Sequence, residues 1–480
     1  MTVRKAFWAY ALATLSGVLL SMSYAMHPLW WAAWIAPAPI IFATQLVPAS
    51  HRRWLTLLTG SLGGISSFSY HLTIGGWLVA IFILVLVALA WSSAIRLAVA
   101  LAERGQFLPA VFAVPTVWAA IDTLLIHLSP HGSAGSIAYS QMDALPVIQV
   151  ASLGGIPAIT FIVLLGGSLL GLFLGFSNGA VRHRLLAAST LGGTVVAAAL
   201  VLGITRLDSS DQAKEANVTL IAMEDISELP QSWTAFWQIY GAQIEQSSRA
   251  GAIVVLPEDI VRLPRNEAEA AARNLAALAS ADDSTIVVGV SVEDPDVLTR
   301  RALVALPDGT YRWYLKQHLI PGIESQLTPG SQSLVLPLGN TIVGIAICKD
   351  MHFPTLGREY GSTDARLMIV PAYDFDIDDW LTARMTVLRG VESGFSIARS
   401  ARNGFSFVSD RYGRVIAERR SGTTLGVLEA SAPINADSGT IYTSIGDVFG
   451  WFCVLGWAAL FFLRSGLYRR ALERFRSPMR

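Results

Sequence analysis

The chain has 480 residues, 35 basic and 35 acidic, with 53% hydrophobic residues, 15% charged residues and a mean hydropathy of +0.49. Soluble globular proteins carry about 25% charged residues, so this composition excludes both a fully water-soluble protein and a disordered one. The balanced net charge argues against nucleic-acid binding, which needs clustered excess Lys and Arg, and two cysteines are too few for a disulfide framework or a cysteine metal site.

Apolar stretches long enough to cross a membrane occupy both ends of the chain. A spanning helix needs about 20 mostly apolar residues. The sequence predicts eight spans, at 6–25, 28–48, 55–74, 77–101, 108–127, 156–177, 185–205 and 444–464. We therefore expect an N-terminal membrane domain over 1–205, a water-soluble domain over 206–440, and a final span with a basic tail over 441–480.

The positions of the basic residues predict the orientation of these spans. Eight alternating spans place all the flanking basic groups on one side: Arg4, Lys5, Arg52, Arg53, Arg104, Arg182, Arg184 and six arginines between Arg464 and Arg480. Loops rich in Lys and Arg stay in the cytoplasm. Both termini are thus expected in the cytoplasm, and the water-soluble domain on the opposite side.

Short β-branched runs alternate with helical patterns in the water-soluble part. Strands are predicted at 252–256, 285–290, 341–347 and 367–370, and helices at 266–280 and 380–394. Pro307-Asp308-Gly309 and Asp410–Gly413 are typical of hairpin turns. This mixture over roughly 230 residues predicts a layered α/β domain.

Three polar residues follow predicted strands or lie at their ends: Glu258, Lys316 and Cys348. A thiol is a strong nucleophile only as a thiolate and needs a base, which a carboxylate in a partly apolar site can provide. A fixed ammonium group can stabilise the oxyanion of a tetrahedral intermediate. Taken alone, a glutamate such as Glu258 is more often a loop carboxylate, a lysine such as Lys316 a surface residue, and a cysteine such as Cys348 a small buried hydrophobic residue. Together the three residues indicate an acyl-transfer site.

The order Glu258, Lys316, Cys348 resembles the Glu-Lys-Cys triad of the nitrilase, or carbon–nitrogen hydrolase, superfamily, which implies an α-β-β-α sandwich. Seven spans, an external domain and an eighth span narrow the resemblance to the apolipoprotein N-acyltransferase family. Three local runs are similar to motifs of that family: residues 316–321 with Glu324, residues 129–141 with Gly154 and Gly155, and residues 440–447.

The chain also departs from that family's pattern. The residues after Cys348 are Lys349 and Asp350, where the family has Tyr or Trp and then Glu. Pro371–Phe375 replaces an Asn-Asp-x-Trp-Phe run, and the end of the first strand, 222–225, is atypical. These departures surround the expected acyl pocket, so they bear on the substrate more than on the mechanism.

The resemblance implies ping-pong acyl transfer. Cys348 would attack a phospholipid ester while Glu258 accepts its proton, and Lys316 with a backbone N–H would stabilise the oxyanion. The thioester would then acylate the N-terminal amine of a diacylglyceryl-cysteine lipoprotein. Glu324 and Asp350 would support the triad. The resemblance implies no cofactor and no metal. The partners would be phospholipid, lipoprotein and membrane lipid, for a monomer in the bacterial inner membrane with its catalytic domain on the periplasmic side.

Other interpretations of the sequence stay open. Water could replace the amine, giving a membrane-tethered amidase or nitrilase-like hydrolase, or the acceptor could be another amine. A catalytically silent lipid-binding or lipoprotein-binding paralogue is a third class. His318 and His352 flank site residues and could form a Cys–His dyad, while residues 175–179 match a Gly-x-Ser-x-Gly elbow by letter only. Intramembrane His71 and Asp122 are functional candidates by default.

Overall fold

The computed structural model describes residues 2–176, 182–208, 214–224, 228–295, 297–339, 341–435 and 439–465. Residues 177–179 of the Gly-x-Ser-x-Gly match, Asp225, and the basic tail beyond residue 465 lie outside this described part. The chain forms two compact units. The helical unit consists of Met1–His127, Gly135–Leu207 and Asp447–Arg480, and the sandwich unit of Leu128–Ala134 and Asp208–Gly446.

Apolar helices make up the helical unit. They are α1 Val3–Ser23, α2 Trp30–Ile35, α3 Pro37–Ala43, α4 Ala49–Gly63, α5 Phe68–Glu103, α6 Phe107–Leu128, α7 Leu145–Ile148, α8 Ala151–Phe176, α9 Arg182–Asp208 and, at the C-terminal end, α15 Val448–Ser465. Short 3-10 helices cover Ile65–Ser67 and Ile137–Gln141.

Six stretches of the described chain are long and apolar enough to cross a membrane. One of them, Ala49–Glu103, contains two antiparallel helices. Gly60 on α4 lies against Ala88 on α5, and the hydroxyls of Thr56 and Ser92 are 2.8 Å apart. The chain turns back near Gly76, whose φ is +73°. This hairpin therefore corresponds to the third and fourth predicted spans, while the predicted second span is two short helices, α2 and α3.

The buried Asp122 has partners inside the helical unit. Its carboxylate accepts hydrogen bonds from Ser136 Oγ, at 2.7 Å, and from Thr160 Oγ1. Buried polar groups in a membrane region need such partners. These contacts give Asp122 a structural role in holding α6, α8 and the intervening segment together.

The sandwich unit is built from two sheets. The strands are β1 Lys214–Ala222, β2 Ile253–Val255, β3 Arg262–Pro264, β4 Thr285–Asp294, β5 Val297–Ala305, β6 Tyr311–Leu315, β7 Leu334–Leu338, β8 Thr341–Ile345, β9 Leu367–Tyr373, β10 Ser396–Arg402, β11 Phe405–Ser409, β12 Val415–Arg420 and β13 Gly426–Ile434. The first sheet has the order β13-β1-β2-β4-β5-β6, with β3 beside β4, and the second has the order β12-β11-β10-β9-β8-β7.

Helices cover the outer faces of both sheets. They are α10 Trp233–Ser247, α11 Arg265–Ala281, α12 Pro354–Ser362 and α13 Asp379–Ser393, while the short helix α14 Ile441–Ile445 packs against α12 and α13. One apolar core lies between the sheets, with Val255 and Val287 from the first and Ile345 and Ile369 from the second. Another core joins the first sheet to α10 and α11. The α-β-β-α sandwich and the helical membrane region expected from the sequence are thus confirmed.

The strands and helices predicted for the sandwich unit match those of the structure closely, with one difference at Cys348. Both predicted helices and both hairpin turns are present, since β5 pairs with β6 and β11 with β12 in antiparallel fashion. The predicted strand 341–347 ends earlier, at Ile345, and a 3-10 helix covers Cys348–His352. Cys348 therefore begins a turn beyond the strand instead of ending the strand itself.

Candidate active site

Cys348 occupies a strained backbone position at the end of the sandwich core. Its φ is +44°, a region that residues other than glycine rarely adopt and that is common at functional sites. The side chain is only 6% exposed, and its thiol Sγ lies 3.3 Å from the backbone oxygen of Tyr373, to which it donates. Strand β8 and the 3-10 helix thus hold one buried thiol against the end of β9.

Asp350 fixes the 3-10 helix that begins at Cys348. Its fully buried carboxylate accepts hydrogen bonds from the Ile347 N–H at 3.0 Å, the Tyr314 hydroxyl at 2.7 Å, and the N–H groups of Gln317 and His318 at 3.1 and 2.8 Å. Asp350 therefore ties the turn of the thiol to the segment that follows Lys316. These contacts make it a positioning residue, and no hydrogen bond of the described part joins its carboxylate to Glu258, Lys316 or Cys348.

His318 also has a partner that the sequence did not indicate. Its Nδ1 lies 3.0 Å from Asp350 Oδ1, and its ring stacks on Phe353 with centroids 3.7 Å apart. The sequence spacing does not show that His318, before the nucleophile, pairs with Asp350, after it.

The segment Leu128–Ala134 supports the other end of this 3-10 helix. The Ser133 N–H and Oγ both donate to the backbone oxygen of His352, at 3.0 and 2.7 Å. Gly132 has φ +60°, and a Cβ there would lie 2.6 Å from the same oxygen. Only glycine fits so close an approach. A stretch between two apolar helices thus takes part in holding the turn of Cys348.

Lys316 lies between two buried carboxylates. Strand β6 ends at Leu315, and the next residue directs its amine to Glu258 Oε1 at 2.8 Å and to the Glu324 oxygens at 2.9 and 3.0 Å. Glu324 also accepts the Ile320 N–H at 2.7 Å. Lys316 is 1% exposed and Glu258 3%, so water does not screen these contacts. The three side chains form one hydrogen-bonded cluster.

Glu258 is placed by a close approach of two strands. It follows β2 through Pro257, and its N–H donates to the Ala372 oxygen at 3.2 Å. A Cβ on Gly289 of β4 would lie 2.5 Å from the Glu258 Cα, so a glycine is required there. One carboxylate oxygen receives Lys316, while Oε2 is buried and receives no hydrogen bond from the described residues. That free oxygen is available to accept a proton.

The charges of this cluster act on one another. Burial alone would lower the pKa of Lys316, but the negative charges of Glu258 and Glu324, and that of Cys348 when it is a thiolate, raise it above its ordinary value. Burial raises the pKa of the Cys348 thiol, Glu258 raises it further, and Lys316 opposes the shift. Lys316 is therefore a permanent cation, and the resting thiol is protonated at neutral pH.

A second layer of ion pairs surrounds the cluster and was not predicted. Asp259, at φ +55°, pairs with Arg300 and accepts from Ser291 Oγ at 2.6 Å. Arg300 Nε lies 3.5 Å from Glu324 Oε1. The Arg402 guanidinium lies 3.7 Å from the Tyr373 ring centroid and donates to the backbone oxygen of Asp259. These contacts connect the backbone beside Glu258 to the backbone that faces the thiol.

The segment Pro371–Phe375, which departs from the expected pattern, contains a buried ion pair. Asp374 accepts from both terminal nitrogens of Arg399, with Nη1 at 2.9 Å, and from Thr382 Oγ1 at 3.1 Å. Both charged side chains are almost completely buried. This pair anchors the end of β9 directly after Tyr373.

We expect Arg399→Met to destabilise the protein severely, because it leaves the Asp374 carboxylate buried without its cation. Breaking a buried pair costs about 3–5 kcal/mol, which corresponds to a fall in melting temperature on the order of 10 °C for a unit of this size. Thermal unfolding of the detergent-solubilised protein checks this, with Arg312→Met, an exposed arginine of β6, as control. Equal melting temperatures for the two variants would contradict the expected role.

Comparison with known proteins agrees with both units. Residues 16–169 match the family model of the apolipoprotein N-acyltransferase N-terminal domain, and residues 227–436 match that of carbon-nitrogen hydrolase. The chain is 24% identical over 516 residues to the apolipoprotein N-acyltransferase of Geobacter metallireducens, covering 96% of each. It is 22% identical over 455 residues to that of Vibrio vulnificus, covering 84% of this chain and 87% of the relative.

The chain is therefore similar to apolipoprotein N-acyltransferases in both of its units. These matches and the apolar helices described above identify it as a membrane protein. Among solved structures, the NitN amidase of Nesterenkonia sp. AN1 is 21% identical, covering 45% of this chain and 91% of its own, with a TM-score of 0.40. A CN-hydrolase superfamily protein of Xanthomonas campestris is 20% identical, covering 46% and 91%, also with a TM-score of 0.40.

Proposed function

We propose that this protein transfers a fatty acyl chain from a phospholipid to the N-terminal amine of a diacylglyceryl-cysteine lipoprotein, through a thioester on Cys348. The observation that carries the proposal is the buried cluster of Glu258, Lys316 and Glu324, whose charges act on the Cys348 thiol. The matching family model of the N-terminal domain, and the relatives named after this activity, support the choice of substrates.

The first half-reaction loads the enzyme. The Cys348 sulfur bonds to the carbonyl carbon of a phospholipid ester while the thiol proton passes to the free oxygen of Glu258. Lys316, a permanent cation, and a backbone N–H at the start of the 3-10 helix stabilise the oxyanion. The ester C–O bond then breaks, and the lysophospholipid leaves with the proton that Glu258 held.

The second half-reaction transfers the acyl chain from the Cys348 thioester to the lipoprotein. The lipoprotein amine attacks the thioester carbonyl, a C–N bond forms and the C–S bond breaks. Glu258 takes the amine proton and returns it to the Cys348 sulfur. Because the resting thiol has a raised pKa, nucleophile and base act together instead of storing a thiolate.

The protein's place in the cell follows from the same proposal. Both substrates are anchored in lipid, so the catalytic region must face a membrane surface. We place that region, within 206–440 and joined by Leu128–Ala134, on the periplasmic side of the bacterial inner membrane, with both termini in the cytoplasm. The basic residues beside the spans support this orientation.

Mass spectrometry of the purified protein tests the proposal. After incubation with phosphatidylglycerol we expect a fatty acyl thioester on Cys348, and after addition of a diacylglyceryl-cysteine peptide we expect its N-acylated form. Cys348→Ala is the negative control and Cys453→Ala, in α15, is the matched control for loss of a thiol. Steady release of fatty acid without peptide would indicate a hydrolase, and absence of any acyl-enzyme would contradict the proposed chemistry.

A further inference from the structure

Lys349 is a second buried lysine at the site, and the described residues provide no counter-ion for it. It directly follows Cys348 on the 3-10 helix and is 3% exposed. Its amine makes one hydrogen bond, to the backbone oxygen of Leu319 at 2.8 Å. No carboxylate of the described residues lies within ion-pair distance of it, whereas Lys316 contacts three carboxylate oxygens.

The nearby carboxylates are already engaged. Glu258 and Glu324 bind Lys316, and Asp350 accepts hydrogen bonds from backbone, tyrosine and histidine groups. An ammonium group has three donors, so Lys349 has two more than its single bond uses. Burial, with the positive charge of Lys316, lowers the pKa of Lys349 to about 8, so the amine is still mainly protonated at neutral pH.

A buried cation without an anion is costly, and an anion that arrives with a substrate can relieve that cost. Lys349 directly follows Cys348 on the 3-10 helix, so a donor whose ester reaches the thiol comes next to the residue that carries this amine. In the proposed donor, a glycerol backbone separates the reacting ester from a phosphodiester anion. Charge-assisted hydrogen bonds from lysine to phosphate oxygens are among the strong ones in proteins.

We propose that Lys349 forms an anion subsite beside the nucleophile that binds the phosphodiester of the phospholipid acyl donor. This inference rests on the proposed function and adds the group by which the donor is recognised. Lys349 replaces an aromatic residue of the family pattern, so the subsite belongs to this chain's own sequence. It selects donors that carry a phosphate over esters that do not.

The experiment compares two acyl donors. Phosphatidylglycerol carries the phosphate, and p-nitrophenyl palmitate offers an acyl ester without one. For Lys349→Met we expect KM for phosphatidylglycerol to rise about tenfold to a hundredfold, the range of one hydrogen bond to a charged group, with kcat changed little. The p-nitrophenyl ester should change less than twofold, and Lys349→Arg should keep the low KM for phosphatidylglycerol.

Inorganic phosphate distinguishes the sources of the anion. If the subsite takes a phosphodiester from lipid, millimolar phosphate competes weakly with phosphatidylglycerol in the wild type and not in Lys349→Met. Lys214→Met, an exposed lysine of the same unit, is the matched control. Folding should not limit the comparison, because Lys349→Met leaves no described carboxylate buried without its cation, and breaking a pair in that way is what makes such changes destabilising.

Three outcomes separate the possibilities. Equal losses with both donors would overturn the subsite, since Lys349 would then act on the chemistry through Leu319 and the Lys316 segment. Unchanged KM for phosphatidylglycerol would overturn it as well. Absence of a thioester in the wild type with either donor would instead count against the proposed function itself.

Discussion

Replacing Lys316 with methionine is expected to slow acyl-enzyme formation severely and to destabilise the sandwich unit at the same time. Among the described residues, the Lys316 amine is the only cation that contacts both Glu258 and Glu324. Arg300 contacts Glu324 alone, at a longer distance. Removing one transition-state donor of this kind typically costs about 10²–10³ in rate. Leaving two buried carboxylates without their partner adds about 3–5 kcal/mol of instability.

Two measurements separate these effects. The rate of thioester formation on Cys348 reports the chemistry, and thermal unfolding in detergent reports the stability. Lys214→Met, on the exposed start of β1, is the control that removes an amine without touching the cluster. A Lys316→Met protein that still forms the thioester at the wild-type rate would disprove the role of this amine as the oxyanion donor.

Glu258→Gln is expected to lower both the acyl-transfer activity of Cys348 and the pKa of its thiol. Glutamine is isosteric and can still accept the Lys316 hydrogen bond, but it is no longer a base. Acyl transfer should fall by about 10²–10⁴, the usual contribution of a general base. Burial raises the pKa of the Cys348 thiol most and the charge of Glu258 raises it further, so removing that charge lowers the pKa.

The pH dependence of Cys348 alkylation should differ between the wild type and Glu258→Gln. In the wild type, alkylation of Cys348 by iodoacetamide, which needs the thiolate, should be slow at neutral pH and keep rising above pH 9.0, the ordinary value for a thiol. In Glu258→Gln the same curve should move to lower pH while acyl transfer is lost. Glu245→Gln, an exposed residue of α10, is the control. A curve that stays in place or moves to higher pH would show that Glu258 does not act on the thiol.

The sequence predicted the layers of the fold because both of its patterns are local. Long apolar runs define helices, and short β-branched runs separated by turn residues define strands, as with 285–290 and the turn at Pro307–Gly309. The broken pair α2 and α3 was not predicted, because Pro37 ends the first helix within a stretch that is apolar throughout.

The candidate site was predicted in part for a physical reason. Glu258, Lys316 and Cys348 could be selected because polar residues at strand ends stand out against apolar runs. Their contacts depend on residues far apart in the chain, such as Gly289 under Glu258 and Ser133 under the His352 oxygen. Arg300 and Arg402 carry no local signal, since Asp259 becomes a neighbour of Arg300 only when the strands of the first sheet pair, and of Arg402 only when the two sheets pack. Lys349 showed no role in the sequence because its lack of a counter-ion is visible only in three dimensions.

The contact between Ser133 and His352 has a consequence for inheritance. The residues that hold the thiol come from two stretches of the gene, which encode Leu128–Ala134 and Asp208–Gly446. The apolar sequence Gly135–Leu207 lies between them. Recombination that exchanged only the later stretch between relatives would pair the His352 turn of one parent with the Gly132-Ser133 bend of the other. The sandwich unit therefore includes Leu128–Ala134, and an exchange between relatives has to carry Gly132 and Ser133 with it.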